Sequence, residues 1–195
     1  MTTTPAQTTY LADKQIDHSN GKTAYPIPTV YVGLLRCTAG QSPRSTAVTS
    51  GQTTIPATPN GHMYRCTTAG TTSSGEPTWP TTSGGTVTDG GAVWTEMTPD
   101  FQANNSNVTS VEANYIGYSR VALSGLIGAA SANSAANSSV ITFGADTSGT
   151  NFIGAIFTAD ASSAGNMLWF MTCALNVSAG VTPNIAIGAF TQSQN

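Results

Sequence analysis

The sequence predicts an all-β fold: an antiparallel β-sandwich with a short N-terminal helix and a small inserted β module. Three observations carry that expectation. Two apolar runs, residues 152–158 and 167–175, flank a polar loop holding Asp160, Ser162, Ser163, Gly165 and Asn166, the pattern of a β-hairpin. Both runs are apolar at odd and even positions alike, so each strand is expected to be covered on two faces. About six strand signals in the main body, joined by turns at short spacing, pack most simply as an antiparallel sandwich.

Residues 1–9 form a polar, Thr-rich arm that needs something to hold it before it orders. From Tyr10 the text YLADKQIDHSNG places Leu11, Ala12 and Ile16 on one side of a short helix, with Thr8 or Thr9 as N-cap. His18 in the last turn and Asn20-Gly21 after it mark the helix end. A helix of roughly a dozen residues is not stable alone, so it must dock onto the body or onto a neighbour. Thr29-Val30-Tyr31-Val32-Gly33-Leu34-Leu35-Arg36 is the first core strand, expected to pair within the C-terminal block.

Between Thr38 and Pro99 the composition shifts to Gly, Pro, Ser and Thr, with strand signals at 62–67 and 92–97 and mostly turns over 70–91. We read residues 46–98 as a small β module inserted after the first strand, since loops accept whole modules at low entropic cost. The predicted organisation is 1–45 for arm, helix and first strand, 46–98 for the module, and 99–195 for the rest of the sandwich. In that last part a polar Asn-rich loop at 104–107 precedes a strand over 115–123. Strands at 140–143 and 185–190 complete the set.

Asp, Glu, Lys and Arg make up 8% of the chain, against about 25% in ordinary soluble proteins. The surface must therefore be Thr, Ser, Asn, Gln and Gly, which suits subunits packed in an assembly better than a monomer kept apart by charge. With six basic residues and a net charge of −3, no cluster can neutralise several phosphates, so nucleic acid is not an expected partner. MTTTPAQTT has neither the basic nor the apolar region of a secretory signal. No run reaches the roughly 18 apolar residues of a membrane helix, and no membrane partner is expected. Cys37, Cys66 and Cys173 lack C-x-x-C spacing; Cys173 reads as a core residue, and Cys37 with Cys66 is the pair that an oxidising compartment would join.

The order helix, strand, tyrosine segment, Ile-Thr-Phe strand and apolar hairpin resembles a family of small bacteriophage virion proteins, tail-fibre-like or head decoration proteins. YLADKQIDHSNGKTAYPIPTVYVGLL is similar to that family's opening, Gly117-Tyr118-Ser119-Arg120-Val121 to its Gly-Tyr-Ala-Arg-Val segment, and Ile141-Thr142-Phe143 to its Ile-Thr-Phe strand. The hairpin from Ile153-Gly154-Ala155-Ile156-Phe157 to Asn166-Met167-Leu168 is similar to its Phe-Gly-Ile-Phe-Asp-Ala and Gly-Asn-Leu-Leu segments. The resemblance covers about residues 10–37 and 111–190; the module is extra. That module, with Gly61-His62-Met63-Tyr64, Glu76-Pro77-Thr78-Trp79-Pro80 and Ala92-Val93-Trp94, has a looser similarity to small chitin-binding modules.

Tyr64, Trp79 and Trp94 are accordingly the candidate glycan platform, since flat rings present apolar faces to a sugar. The competing reading is that a module of about 50 residues with few aliphatics needs the same rings as its core. Tyr10, Leu11 and Ile16 are the candidate subunit-docking residues. His18 and His62 fall on different modules with no carboxylate or Cys at ligand spacing, so no metal site or other cofactor is expected. Asp89, Glu96 and Asp100 are the acidic residues from which a glycosidase pair would have to come, but no nucleophile–base or phosphate-loop pattern accompanies them.

The resemblance implies a non-enzymatic virion structural protein, assembled in the cytoplasm of a bacterial host. Its foremost expected role is a capsid decoration (cement) protein on the outside of the head shell. The alternative is a tail or fibre component that adheres to host surface glycans through the module. Expected partners are other virion proteins, the major capsid protein or tail proteins, and further copies of itself as a homo-oligomer or multicopy array.

Overall fold

A computed structural model describes residues 6–26, 28–104, 106–147 and 150–193. The chain is all-β, with antiparallel sheets and a short N-terminal helix, as its sequence predicts. Its centre is a five-stranded antiparallel sheet in the order Ala6–Gln7, Met167–Ser178, Thr150–Ala159, Tyr31–Arg36, Val121–Ala122. The hairpin forms where expected, with Ile156 opposite Met171 and Phe157 opposite Phe170. Its loop is closed by Asp160, whose carboxylate accepts from the Asn166 backbone N–H at 2.6 Å and from Asn166 Nδ2 at 2.8 Å. The first core strand pairs with the hairpin, Leu34 opposite Ile156, which meets the expectation that it joins the C-terminal block.

Both faces of this sheet are covered. On one, Leu35, Ala155, Phe157 and Phe170 meet Phe101, Val108 and Val111, together with Ile55, Met63 and Met97 from the module. On the other, Val32, Leu34, Ile153 and Val177 meet Tyr115, Leu123, Ile141, Phe143, Ile185 and Phe190. The layer on that second face consists of short ribbons, Ile141–Thr142 with Asn184–Ile185 and Ser134–Ala136 with Thr191–Ser193. The strands predicted over 115–123, 140–143 and 185–190 are therefore shorter than expected. At 115–118 the chain turns, with the Tyr118 N–H donating to the Tyr115 carbonyl at 3.0 Å, and only Val121–Ala122 reaches the sheet edge.

The helix spans Thr9–Ser19 with Thr8 as N-cap. Thr8 is fully buried: its Oγ1 accepts from the Leu11 N–H at 3.4 Å and donates to the Met167 carbonyl at 2.7 Å, locking the helix start to the hairpin. Ala6–Gln7 pair with Phe170 and Trp169, so the end of the arm is held as an edge strand; the rest of the predicted arm lies outside the described residues. Two short helices, Thr98–Ala103 and Ser106–Thr109, stand where the sequence reads as loop. Pro in the first turn and Asp100 near the N-terminus set up the first, which buries Phe101 in the core.

Within the module, a four-stranded sheet runs in the order Thr53–Thr54, Tyr64–Thr68, Ala92–Glu96, Thr86–Asp89, beside a ribbon of Ala47–Val48 with Gly70–Thr71. The segment read as mostly turns thus contains two strands. The module is joined to the body along a seam. Ile55, Met63 and Met97 are buried in the main core, Thr53 Oγ1 donates to the Arg36 carbonyl at 2.8 Å, and Thr172 Oγ1 donates to the Gly61 carbonyl at 2.6 Å. Gly154 sits at a bulge in the central sheet under this seam, where a Cβ would stand 2.6 Å from Cys37 Sγ and 3.1 Å from Met63 Sδ.

Candidate functional site

The three rings singled out from sequence come together. Cys66 pairs with Trp94 across adjacent strands, and the loop after Glu76 folds Trp79 over the sheet. Trp79 lies 4.5 Å from Tyr64 and 6.1 Å from Trp94 between ring centroids, the second contact edge-to-face. Their arrangement is a core: Tyr64 and Trp94 are fully buried with Val48, Cys66 and Ala92, and only Trp79 is half-buried. A buried ring offers no face to a sugar, so Tyr64 and Trp94 drop out as glycan-platform residues. With so few aliphatic side chains in the module, the aromatic rings supply the apolar area that holds it together.

Polar groups fix that core from the sides. Tyr64 Oη donates to the Pro80 carbonyl and accepts from Asn60 Nδ2, both at 2.7 Å. Burial pushes the Tyr64 phenol up to about 12, the Asn60 hydrogen bond opposing and the Glu96 charge adding to the rise. Glu76 accepts from Trp79 Nε1 at 2.8 Å, from the Ala57 N–H at 2.7 Å and from Ser42 Oγ at 2.8 Å. Partial burial works against ionisation of Glu76, but these three donors and the Arg44 charge together hold its carboxyl below the ordinary value.

Acidic residues weighed as a glycosidase pair are likewise occupied. Asp89 takes a two-pronged bond from Arg44 at 3.0 and 2.7 Å, the Ser73 N–H at 2.9 Å and Trp94 Nε1 at 3.3 Å. Glu96 accepts from the Gly84 and Thr98 N–H groups at 2.9 and 3.0 Å and from Thr98 Oγ1 at 2.6 Å, with His62 Nδ1 3.0 Å away. Asp100 accepts from Arg65 Nε at 3.0 Å. The chemistry of these carboxylates is that of cross-links between loops, and Asp89 and Glu96 are buried where no substrate reaches them. The His62–Glu96 contact was not legible from spacing, because strand pairing brings together residues 34 apart. Among the described residues no group of three or more His, Cys, Asp or Glu could hold a metal ion.

A further clamp explains the Gly-Tyr-Ser-Arg-Val segment. Arg120 donates to Glu112 through Nε and Nη2, both at 2.8 Å, and through Nη1 to the carbonyls of Ala161 and Ala164 at 2.8 and 2.7 Å. Its guanidinium also lies 4.9 Å from the Phe157 ring centre. Tyr118 Oη donates to Glu112 at 2.9 Å and accepts from the Leu34 N–H at 3.0 Å. The segment thus ties the first core strand to the hairpin loop.

No family model matches the chain, and no curated protein matches it significantly.

Of the docking candidates, Leu11 is buried in the protein's own body and is not a free docking residue. The helix lies against the strand Met167–Ser178 and the helix Thr98–Ala103, which removes that side chain from any partner. Tyr10 is half-buried with the Lys14 ammonium 5.7 Å from its ring centre, while Ile16 is exposed beside a shallow groove lined by Gln7, Ala12, Gln15, His18 and Tyr25. All three cysteines are free thiols, so Cys37 and Cys66 are not joined. Burial raises the pKa of each, that of Cys173 to about 12.

Proposed function

We propose that the chain is a non-enzymatic structural component of a bacteriophage virion, a decoration protein bound to the outside of the head shell and assembled in the host cytoplasm. The observation that carries this reading is where the ionisable side chains are. Arg44, Arg65 and Arg120 and their carboxylate partners Asp89, Asp100 and Glu112 are engaged inside the molecule, leaving a surface dominated by uncharged side chains. Such a surface suits many copies held against one another and against a shell, where repeated weak contacts add through multivalency. The resemblance of residues 10–37 and 111–190 to virion proteins points the same way.

A tail or fibre role with glycan adhesion has less support, because only Trp79 of the three rings reaches solvent. Gold-labelled antibody imaged on intact virions tests the proposal. Label distributed over the head supports it, and label confined to the tail overturns it in favour of the fibre role.

A further inference from the structure

Asn-Gly is the dipeptide in which a side-chain amide is most readily lost, because glycine has no Cβ to shield its own backbone nitrogen from the preceding side chain. The chain has two, Asn20-Gly21 and Asn60-Gly61. The fold places them in opposite surroundings.

Asn20 caps the end of the helix Thr9–Ser19, and every residue from His18 to Ala24 is exposed. The Asn20 backbone N–H donates to the Ile16 carbonyl at 3.0 Å, but its side-chain amide has no hydrogen-bond partner among the described residues. Gly21 turns the chain at φ +67°, with open space where a Cβ would stand. Its N–H donates to the His18 carbonyl at 3.1 Å, a bond at an exposed helix end that opens without disturbing any core. Asn60 is held at both ends of its amide. Its Oδ1 accepts from the His62 N–H at 3.1 Å, and its Nδ2 donates at 2.7 Å to Oη of the fully buried Tyr64. The neighbouring Gly61 carbonyl is fixed in turn by Thr172 Oγ1 at 2.6 Å. Swinging the Asn60 side chain onto the Gly61 nitrogen therefore gives up two hydrogen bonds, one of them to the module core.

We propose that Asn20 is a site of spontaneous deamidation in the folded protein and that the fold protects Asn60. Hydroxide takes the Gly21 amide proton, and the nitrogen lone pair attacks Asn20 Cγ. The new C–N bond closes a cyclic imide, while the Cγ–Nδ2 bond breaks and Nδ2 leaves as ammonia with a proton from water. A second water opens the ring at either carbonyl, giving aspartate or isoaspartate, and nothing is oxidised or reduced. Both products put a carboxylate at the helix C-terminus, where the helix dipole disfavours negative charge. Isoaspartate also lengthens the main chain just before Lys22 and Thr23, whose N–H groups fold back onto the Asp17 carbonyl at 2.9 and 3.4 Å. The last turn of the helix loosens as a result, while its start stays tied to the hairpin through Thr8.

Peptide mapping by mass spectrometry, on the full chain aged at pH 8, tests the proposal. In the native protein Asn20 should convert at least about tenfold faster than Asn60, and in guanidinium the two rates should fall within about twofold of each other. An Asn20 amide that lasts as long as that of Asn60 in the native protein overturns the proposal. A rate ratio that survives unfolding does so too, because it assigns the difference to flanking sequence instead of the fold. Ion exchange of the aged Asn20→Gln variant should lack the main acidic species that wild type accumulates; if that species persists, the principal site is elsewhere and the proposal fails.

Discussion

Met63→Ala tests whether the module and the main body are one cooperative unit. Met63 is fully buried, its backbone belongs to the module, and its side chain lies in the main core above the Gly154 bulge. Truncating a buried Met to Ala costs about 2–5 kcal/mol, depending on how far the surroundings collapse. Collapse is poor here because Gly154 has no side chain to move into the space, so we expect the upper half, about 4 kcal/mol. For a chain of this size, each kcal/mol shifts Tm by about 2–4 °C, which gives a loss of about 8–16 °C. Calorimetry would follow the whole molecule, while fluorescence of Trp79 and Trp94 in a Trp169→Phe background would follow the module. Amide exchange in the hairpin would follow the sheet. All three should shift together in one transition. A module transition that moves while the hairpin's exchange protection stays put would refute the shared core and make the module an autonomous domain.

Glu112→Ala leaves the nearly inaccessible Arg120 guanidinium with only the two loop carbonyls, and should cost about 3 kcal/mol in denaturant unfolding with an unchanged slope. Arg120→Met should cost less, because Glu112 is the more exposed partner and can rehydrate; the reverse order would contradict the clamp. The depressed Glu76 carboxyl gives stability that is complete above its ordinary value of 4.5 and drains as pH falls through the lower folded value. Wild-type Tm should therefore drop on acidification in that window and the Glu76→Gln variant should show a flatter profile, measured by fluorescence of the module tryptophans. Since burial keeps the three thiols protonated, a disulfide-exchange reagent at pH 8 should find almost none of them in the native protein and all three in guanidinium.

Sequence pattern revealed most where a strand is apolar on both faces. The hairpin is legible because the central sheet is covered on both sides, so Ile156 and Phe157 had to be apolar alike. It failed where the chain fills a core without regular pairing. The stretch 115–123 has strand-like composition, but Gly117 takes φ +100° in a turn that turns Tyr115 and Tyr118 inward as packing residues. The helix Thr98–Ala103 is too short to show a period, yet its Thr-Pro-Asp opening was a readable signal. For the candidate site, a Trp in a platform and a Trp in a core look identical in sequence. What separates them is register, in which Cys66 opposite Trp94 and Tyr64 opposite Glu96 put the rings beneath Trp79. The seam was invisible for the same reason, since nothing in the composition of Met63 or Met97 says which of two cores each will join.

The scarcity of charge and its placement have one explanation. In a module built from Thr, Ser and Gly, few apolar side chains are available to fix long loops, and a buried carboxylate that accepts three or four donors fixes several strands at once. Asp89 joins the segment before the module to its last hairpin and to Trp94, and Glu96 joins the loop at Gly84 to the start of the helix at Thr98. Charges engaged in this way cannot also keep copies of the molecule apart. A chain with few charged side chains, several of them engaged in ion pairs and buried carboxylate cross-links, has little charge left over to repel its neighbours. Added surface charge would improve its solubility at the cost of the contacts that an assembly needs. That trade is the one the proposed role among neighbouring copies would require.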